Sequence, residues 1–89
     1  MKAVVTVVGK DRVGIIASVC VELAQYNVNV MDISQTVMQG YFTMMMVVEV
    51  SECSVPLAEL CKAMDAKGQE MGLSIRVQRE DIFEAMHRV

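Results

Sequence analysis

Apolar residues follow two periods that alternate along the chain. Val4, Val5, Thr6, Val7 and Val8 form a β-branched run that suits a buried strand, and Gly9 punctuates it. The spacing then turns helical: Ile16, Val19, Cys20 and Leu23 recur on one face and Ser18, Glu22 and Gln25 on the other, predicting a helix over 13–26 that ends at Asn27. Residues 28–38 alternate with a change of phase. Val28 and Val30 share one face, whereas Met31, Ile33 and Val37 share the other, so a bulge is expected near Val30. Gln39 and Gly40 form a hairpin turn, and residues 41–50, YFTMMMVVEV, return as a long strand. Residues 51–56 connect to a second helix, with Ser54 as its expected N-cap and Pro56 in its first turn. There Leu57, Leu60, Cys61, Met64, Gly68 and Met71 form the inward stripe, Glu59, Lys62, Asp65 and Glu70 face water, and Gly72 is the stop signal. Leu73, Ile75 and Val77 alternate with Ser74, Arg76 and Gln78 as a fourth strand. The tail EDIFEAMHRV predicts a short extra helix in which Asp81 and Glu84 have capping-box spacing and Ile82, Phe83, Met86 and Val89 form an apolar edge. So short a helix must dock, on its own sheet or on a neighbouring subunit.

Strand, helix, strand, strand, helix, strand is the split βαβ order of a ferredoxin-like α+β sandwich: two helices on one face of a four-stranded antiparallel sheet. The chain reads as one unit over 1–89, with a core of about 1–79 and an extension over 80–89. On the third strand Phe42, Met44, Met46, Val48 and Val50 form one face and Tyr41, Thr43, Met45, Val47 and Glu49 the other. If the first set lies under the helices, the second set, joined by Val4 or Val8, makes an open apolar face that calls for dimerisation or tail docking.

The stretch VVTVVGKDRVGIIA, from Val4 to Ala17, is where a small ligand would bind. A loop bracketed by Gly9 and Gly14 leads into a helix whose first N–H groups are unpaired, and those donors favour a carboxylate or phosphate. The same arrangement also serves as a plain strand-to-helix connection.

Composition narrows the function classes. With 89 residues the chain buries only about 60 to 65% of its unfolded surface, so association would help it. No Trp, two Tyr, two Phe and nine Met leave a core of Val, Ile, Leu and Met. A net charge of -3 with scattered Lys and Arg gives no basic footprint, which argues against a nucleic-acid partner. There is no apolar run of about 18 residues and no signal-peptide pattern, so no membrane partner and a cytoplasmic location are expected. Cys20, Cys53 and Cys61 match neither a disulfide framework nor a zinc set; no metal and no cofactor are expected. His87, the one histidine, falls in the terminal helix with no spacing that joins it to a cysteine nucleophile.

Gly9 and Gly14 have Walker A spacing, but Ile15 and Ile16 stand where Lys and Ser or Thr are required, which excludes nucleotide hydrolysis. Copper-chaperone-like domains on this fold carry a Cys pair in the first loop, and RNA-recognition motifs carry stacking aromatics on the central strands; neither is present. Acylphosphatases end their anion cradle in an arginine, where this chain continues Ile15, Ile16, Ala17, Ser18.

The phrase GKDRVGIIASVCVELAQYNVNVMDISQT resembles the ACT domain, a small-molecule-sensing module. Its marks are Asp11, Arg12 and Gly14 of a D-R-x-G loop, a helix ending in Leu23 and Ala24, and Asn29 before the next strand; Val13 stands where the family usually has Pro. Within the family, DISQTV, YFTMMM and QREDIFEAMHRV resemble the stand-alone bacterial and archaeal ACT proteins related to the ACT repeats of the glycine cleavage repressor. The resemblance implies a non-enzymatic regulatory domain and a homodimer, often with edge strands joined into one eight-stranded sheet. It also implies an amino-acid-type ligand between one subunit's first loop and the other's second strand. Carried over by position, the loop residues are Gly9, Lys10, Asp11, Arg12, Val13, Gly14 and Ile15, and the strand residues are Asn29, Val30, Met31 and Asp32. Lys10 and Arg12 would attract an acid, and Asp11 or Asp32 would receive an ammonium group. Each also has a plainer role: Lys10 and Arg12 as solvated loop charges, Asp11 as a helix cap, Asn29 as a turn residue. A purely structural dimerisation domain is the alternative reading, and an acylphosphatase-like hydrolase is a more distant one.

Overall fold

In the computed structural model, which describes residues 1–86, β1 (Lys2–Lys10) and β3 (Tyr41–Glu49) run antiparallel at the centre of a four-stranded sheet ordered β2-β3-β1-β4. β2 (Asn29–Met38) and β4 (Ser74–Arg79) form the two edges, and all neighbours are antiparallel. Helices α1 (Ile15–Gln25) and α2 (Leu57–Met71) cover one face, and α3 (Glu80–Met86) follows β4 directly. This is the expected ferredoxin-like α+β sandwich with a short terminal helix.

The alternation along β1 and β3 explains the core. Ala3, Val5 and Val7 pair with Val48, Met46 and Met44, and all six are fully buried beneath Val19, Leu23, Leu60 and Met64 of the helices. On the opposite face Tyr41, Met45 and Val8 stay exposed, whereas Val4 is buried. That face is partly roofed by α3, which packs on β1 and β4 of its own chain. His87 and Val89, assigned to the terminal helix by pattern, lie outside the described residues.

The change of phase in β2 is a bulge. The ladder to β3 shifts between Val30 and Asp32, leaving Met31 as the extra residue, so Ile33 and Val37 return to the face that Val30 occupies. The hairpin turn at Gln39 and Gly40 has positive φ at both residues, 50° and 81°, which matches a twisted two-residue connection.

Several boundaries differ from those the pattern suggests. β1 does not stop at Gly9: Gly9 pairs with Phe42 and Lys10 with Tyr41, because the partner strand offers hydrogen bonds that far. α1 starts at Ile15 rather than residue 13, since Gly14 takes a left-handed φ of 91° that no helical residue adopts. Ser54 is not the cap of α2. Pro56 holds that position without a side-chain hydrogen bond, and its carbonyl accepts from the N–H groups of Glu59 and Leu60. Asp81 lies inside the first turn of α3, where its carboxylate accepts from the Ile82 N–H and from Arg79 instead of forming a capping box with Glu84.

Gly72 ends α2 in the left-handed region, as expected, and Leu73 N–H then donates to the Gly68 carbonyl at 2.7 Å. Gly68 is buried at this junction, and a Cβ there would stand 2.7 Å from the Leu73 carbonyl oxygen. Gly68→Ala should therefore destabilise the protein by about 1 to 2 kcal/mol, because overpacking outweighs the roughly 1 kcal/mol gained in helix propensity. Urea unfolding checks the sign; a more stable variant would contradict the close approach.

At the far end of β3, Glu49 accepts a hydrogen bond from the N-terminal ammonium at 2.7 Å and others from Ser51. The ammonium contact chiefly, then the Ser51 hydroxyl, pull the Glu49 carboxyl from 4.5 down to about 2. Folding thus favours its ionised form. Its contribution is complete above the unfolded value and is lost as the pH falls from there through about 2. Between neutral and strongly acidic pH the wild type should lose more stability than Glu49→Gln, measured by urea midpoints; equal losses would count against the pairing.

Candidate functional site

The chain leaves β1 next to the hairpin turn, where Asp11 N–H donates to the Gly40 carbonyl at 2.8 Å. Residues 11–14 then cross to α1. The helix opens without a side-chain cap and without an acidic residue in its first turn, and its first intrahelical bond runs from Ser18 N–H to the Gly14 carbonyl at 2.9 Å. The earlier N–H groups carry the positive end of the helix dipole. Asp11 is not the cap.

A cavity of about 340 Å³ opens in front of this helix start, lined by Asp11, Arg12, Gly14, Ile15, Ile16 and Ala17 on one side and Gln35, Val37 and Phe42 on the other. Its size suits a small metabolite. Asp11 and Arg12 are both exposed and form no ion pair among the described residues, so the cavity presents one charge of each sign beside an apolar wall.

Of the loop residues expected to bind, Asp11, Arg12, Gly14 and Ile15 come together here. Ile15 is also a core anchor, only 2% exposed. Gly9 and Lys10 stand apart in the strand, Gly9 with its α-carbon against Leu73, and Val13 points wholly into solvent. Asn29, Val30, Met31 and Asp32 sit at the opposite end of the sheet. Asn29 pairs with Glu49, which pairs with Lys2, whereas Val37 pairs with Phe42, which pairs with Gly9. At about 3.3 Å per residue, seven steps separate the row of Asn29 from that of Val37 by roughly 23 Å and five steps separate the row of Asp32 from it by roughly 17 Å, so these four residues stand away from the loop within one chain. Asp32 instead accepts a hydrogen bond from the Ile33 N–H at 2.9 Å.

Gln35, Val37 and Phe42 were not among the expected residues. Counting back from the turn at Gly40 sets Val37 opposite Phe42 and Gln35 opposite Met44, because a two-residue hairpin fixes the register of both strands, but only the pairing of Phe42 with Gly9 on β1 brings them to the loop. Among the described residues no three His, Cys, Asp or Glu side chains converge to hold a metal ion, and no helix is long and apolar enough to cross a membrane. Cys61 donates to the Val77 carbonyl at 3.3 Å, and burial raises its thiol pKa, so it sits as a core residue.

A glycine-initiated helix, a cavity at its start and a helix-covered four-stranded antiparallel sheet define the class of the protein as a small ferredoxin-like α+β domain. The family profile for the ACT domain matches residues 2–78, and the chain belongs to that family. It is 48% identical to a UPF0237 protein of Listeria innocua, with all of both chains aligned. Among solved structures it is similar to an ACT domain protein from Streptococcus pneumoniae, at 46% identity, a TM-score of 0.83 and 98% coverage of each chain. The fold alone is shared with the regulatory subunit of aspartate kinase from Thermus thermophilus, at 24% identity and a TM-score of 0.66, covering 86% of this chain and 50% of that one.

Gly14 is required for its backbone. A Cβ built there meets nothing within 4 Å, yet φ of 91° is a region that L side chains rarely adopt. Gly14→Ala should cost about 1 to 2 kcal/mol and Gly14→Asn less, since Asn tolerates the left-handed region. Thermal melting that ranks Ala at or above Asn would show that something other than φ selects this glycine.

Proposed function

We propose that the chain is a non-enzymatic regulatory domain whose cavity at the start of α1 takes a free amino acid, and which works as a homodimer. The observation that carries this reading is that Asp11 and Arg12 both stand on the wall of one metabolite-sized space. A zwitterion supplies the complement of both charges. Its carboxylate would face Arg12 and the uncapped N–H groups of α1, its ammonium group Asp11, and its side chain Val37 and Phe42.

The dimer follows from the edge. β2 is paired on one side only, and Met31, Ile33 and Val37 are exposed along it. Antiparallel pairing of two β2 strands about a two-fold axis sets the start of one beside the end of the other. Residues 29–32 of a second copy would then stand next to Val37 and the cavity. This is the arrangement in which the loop and residues 29–32 could share a ligand.

Isothermal titration of the protein with the twenty amino acids tests the reading. Binding of one amino acid or a related set is expected, weakened about tenfold or more by Asp11→Asn and by Arg12→Gln, the range of one charge-assisted hydrogen bond. Silence toward all twenty would overturn the sensor and leave the structural dimerisation domain, which the apolar β2 edge also favours. Light scattering at micromolar concentration should give twice the 9.9 kDa chain mass; the monomer mass would count against the dimer.

A further inference from the structure

A second cavity, of about 450 Å³, lies on the other face of the sheet under α3, lined by Thr6, Met45, Arg76, Gln78, Phe83 and Met86. Its floor follows from register. Met45 pairs with Thr6 and Thr6 with Arg76, so the three stand side by side across β3, β1 and β4, and Gln78 is the next residue of β4 on the same face. Its roof is α3, which begins directly after β4 and contributes Phe83 and Met86.

The chemistry of this space is one-sided. Arg79 is held by Asp81 at 2.6 Å and Lys67 by Glu70 at 3.8 Å, whereas Arg76 has no ion pair among the described residues. Among the described residues no carboxylate lines the cavity. The Gln78 amide spends its donor on the Met86 sulfur at 3.5 Å, a weak acceptor that a ligand oxygen would readily replace. Among the described residues, one guanidinium without an ion pair and one poorly used amide donor therefore face thioether and phenyl groups.

We propose that this cavity binds a small monocarboxylate with an apolar tail and no ammonium group. The carboxylate accepts from Arg76 and Gln78, and the tail lies among Met45, Phe83 and Met86. An amino acid is disfavoured, because its ammonium group would be desolvated with no acceptor of opposite charge among the described lining residues. Occupancy also ties α3 to the sheet, as no residue of that helix is buried without a ligand.

The test uses 3-phenylpropionate and phenylalanine, which differ by the ammonium group, each titrated into isotope-labelled full chain and followed by amide NMR. Saturable shifts at Thr6, Met45, Arg76, Gln78 and α3 are expected with 3-phenylpropionate and absent with phenylalanine. Arg76→Gln, at an exposed position, should keep the spectral dispersion of the wild type and weaken binding about tenfold, the loss of one charge-assisted hydrogen bond. The proposal is overturned by no saturable shift, by unchanged affinity in Arg76→Gln, or by shifts confined to residues 11–17. It is independent of the amino-acid site, which Arg76→Gln does not touch.

Discussion

The in-register pairing of β1 with β3 is the constraint on which the rest of the structure depends. It sets Ala3, Val5 and Val7 against Val48, Met46 and Met44 on the face that α1 and α2 cover. A slip of β1 by one residue against β3 would turn Val4, Thr6 and Val8 inward and send Ala3, Val5 and Val7 to the other side. The same register brings Lys10 level with Tyr41, so the chain emerges from β1 beside the hairpin turn and Asp11 bonds to Gly40. The cavity in front of α1 is a consequence of that exit point. Its far wall, Gln35 and Val37, is carried there by the hairpin that β3 shares with β2.

What the sequence revealed was the local part of this. The order of elements, the two faces of β3, the bulge, the inward stripe of α2 and its stop at Gly72 all rest on side-chain period or on one residue's backbone freedom, which short windows carry. The errors arose where a distant partner decides. Gly9 reads as punctuation, yet Phe42 across the ladder keeps it in the strand. Ser54 and Asp81 are good capping residues by type, but the helices begin where Pro56 and Glu80 place them. For the site, the D-R-x-G loop was legible and its companions were not, since Gln35, Val37 and Phe42 reach it only through the sheet.

On the proposed readings, the two cavities would separate ligand classes on one fold. Both lie against the sheet and both present a guanidinium, Arg12 on one face and Arg76 on the other. The difference is Asp11. A carboxylate beside the cation complements a zwitterion, whereas a cation facing thioethers and a phenyl ring complements an anion with an apolar body. On the proposed readings, selectivity would depend on which opposite charge is within reach rather than on cavity size, which is similar in the two.

The two edges of the sheet differ in how open they are to the proposed association. β4 is six residues long, carries Arg76 and Arg79, and runs straight into α3, all of which blunt pairing with another chain. β2 is ten residues long and holds a single charge, Asp32, with no Lys, Arg or Pro; its one defence is the bulge at Met31. That bulge bends the strand near its start and leaves residues 33–38 as a regular, half-apolar template. An 89-residue chain with a core of Val and Met has little surplus stability with which to carry an open edge. Burying Ile33 and Val37 against a second β2 would remove the liability and recover apolar area in one step, so the undefended edge is where a second copy gains most.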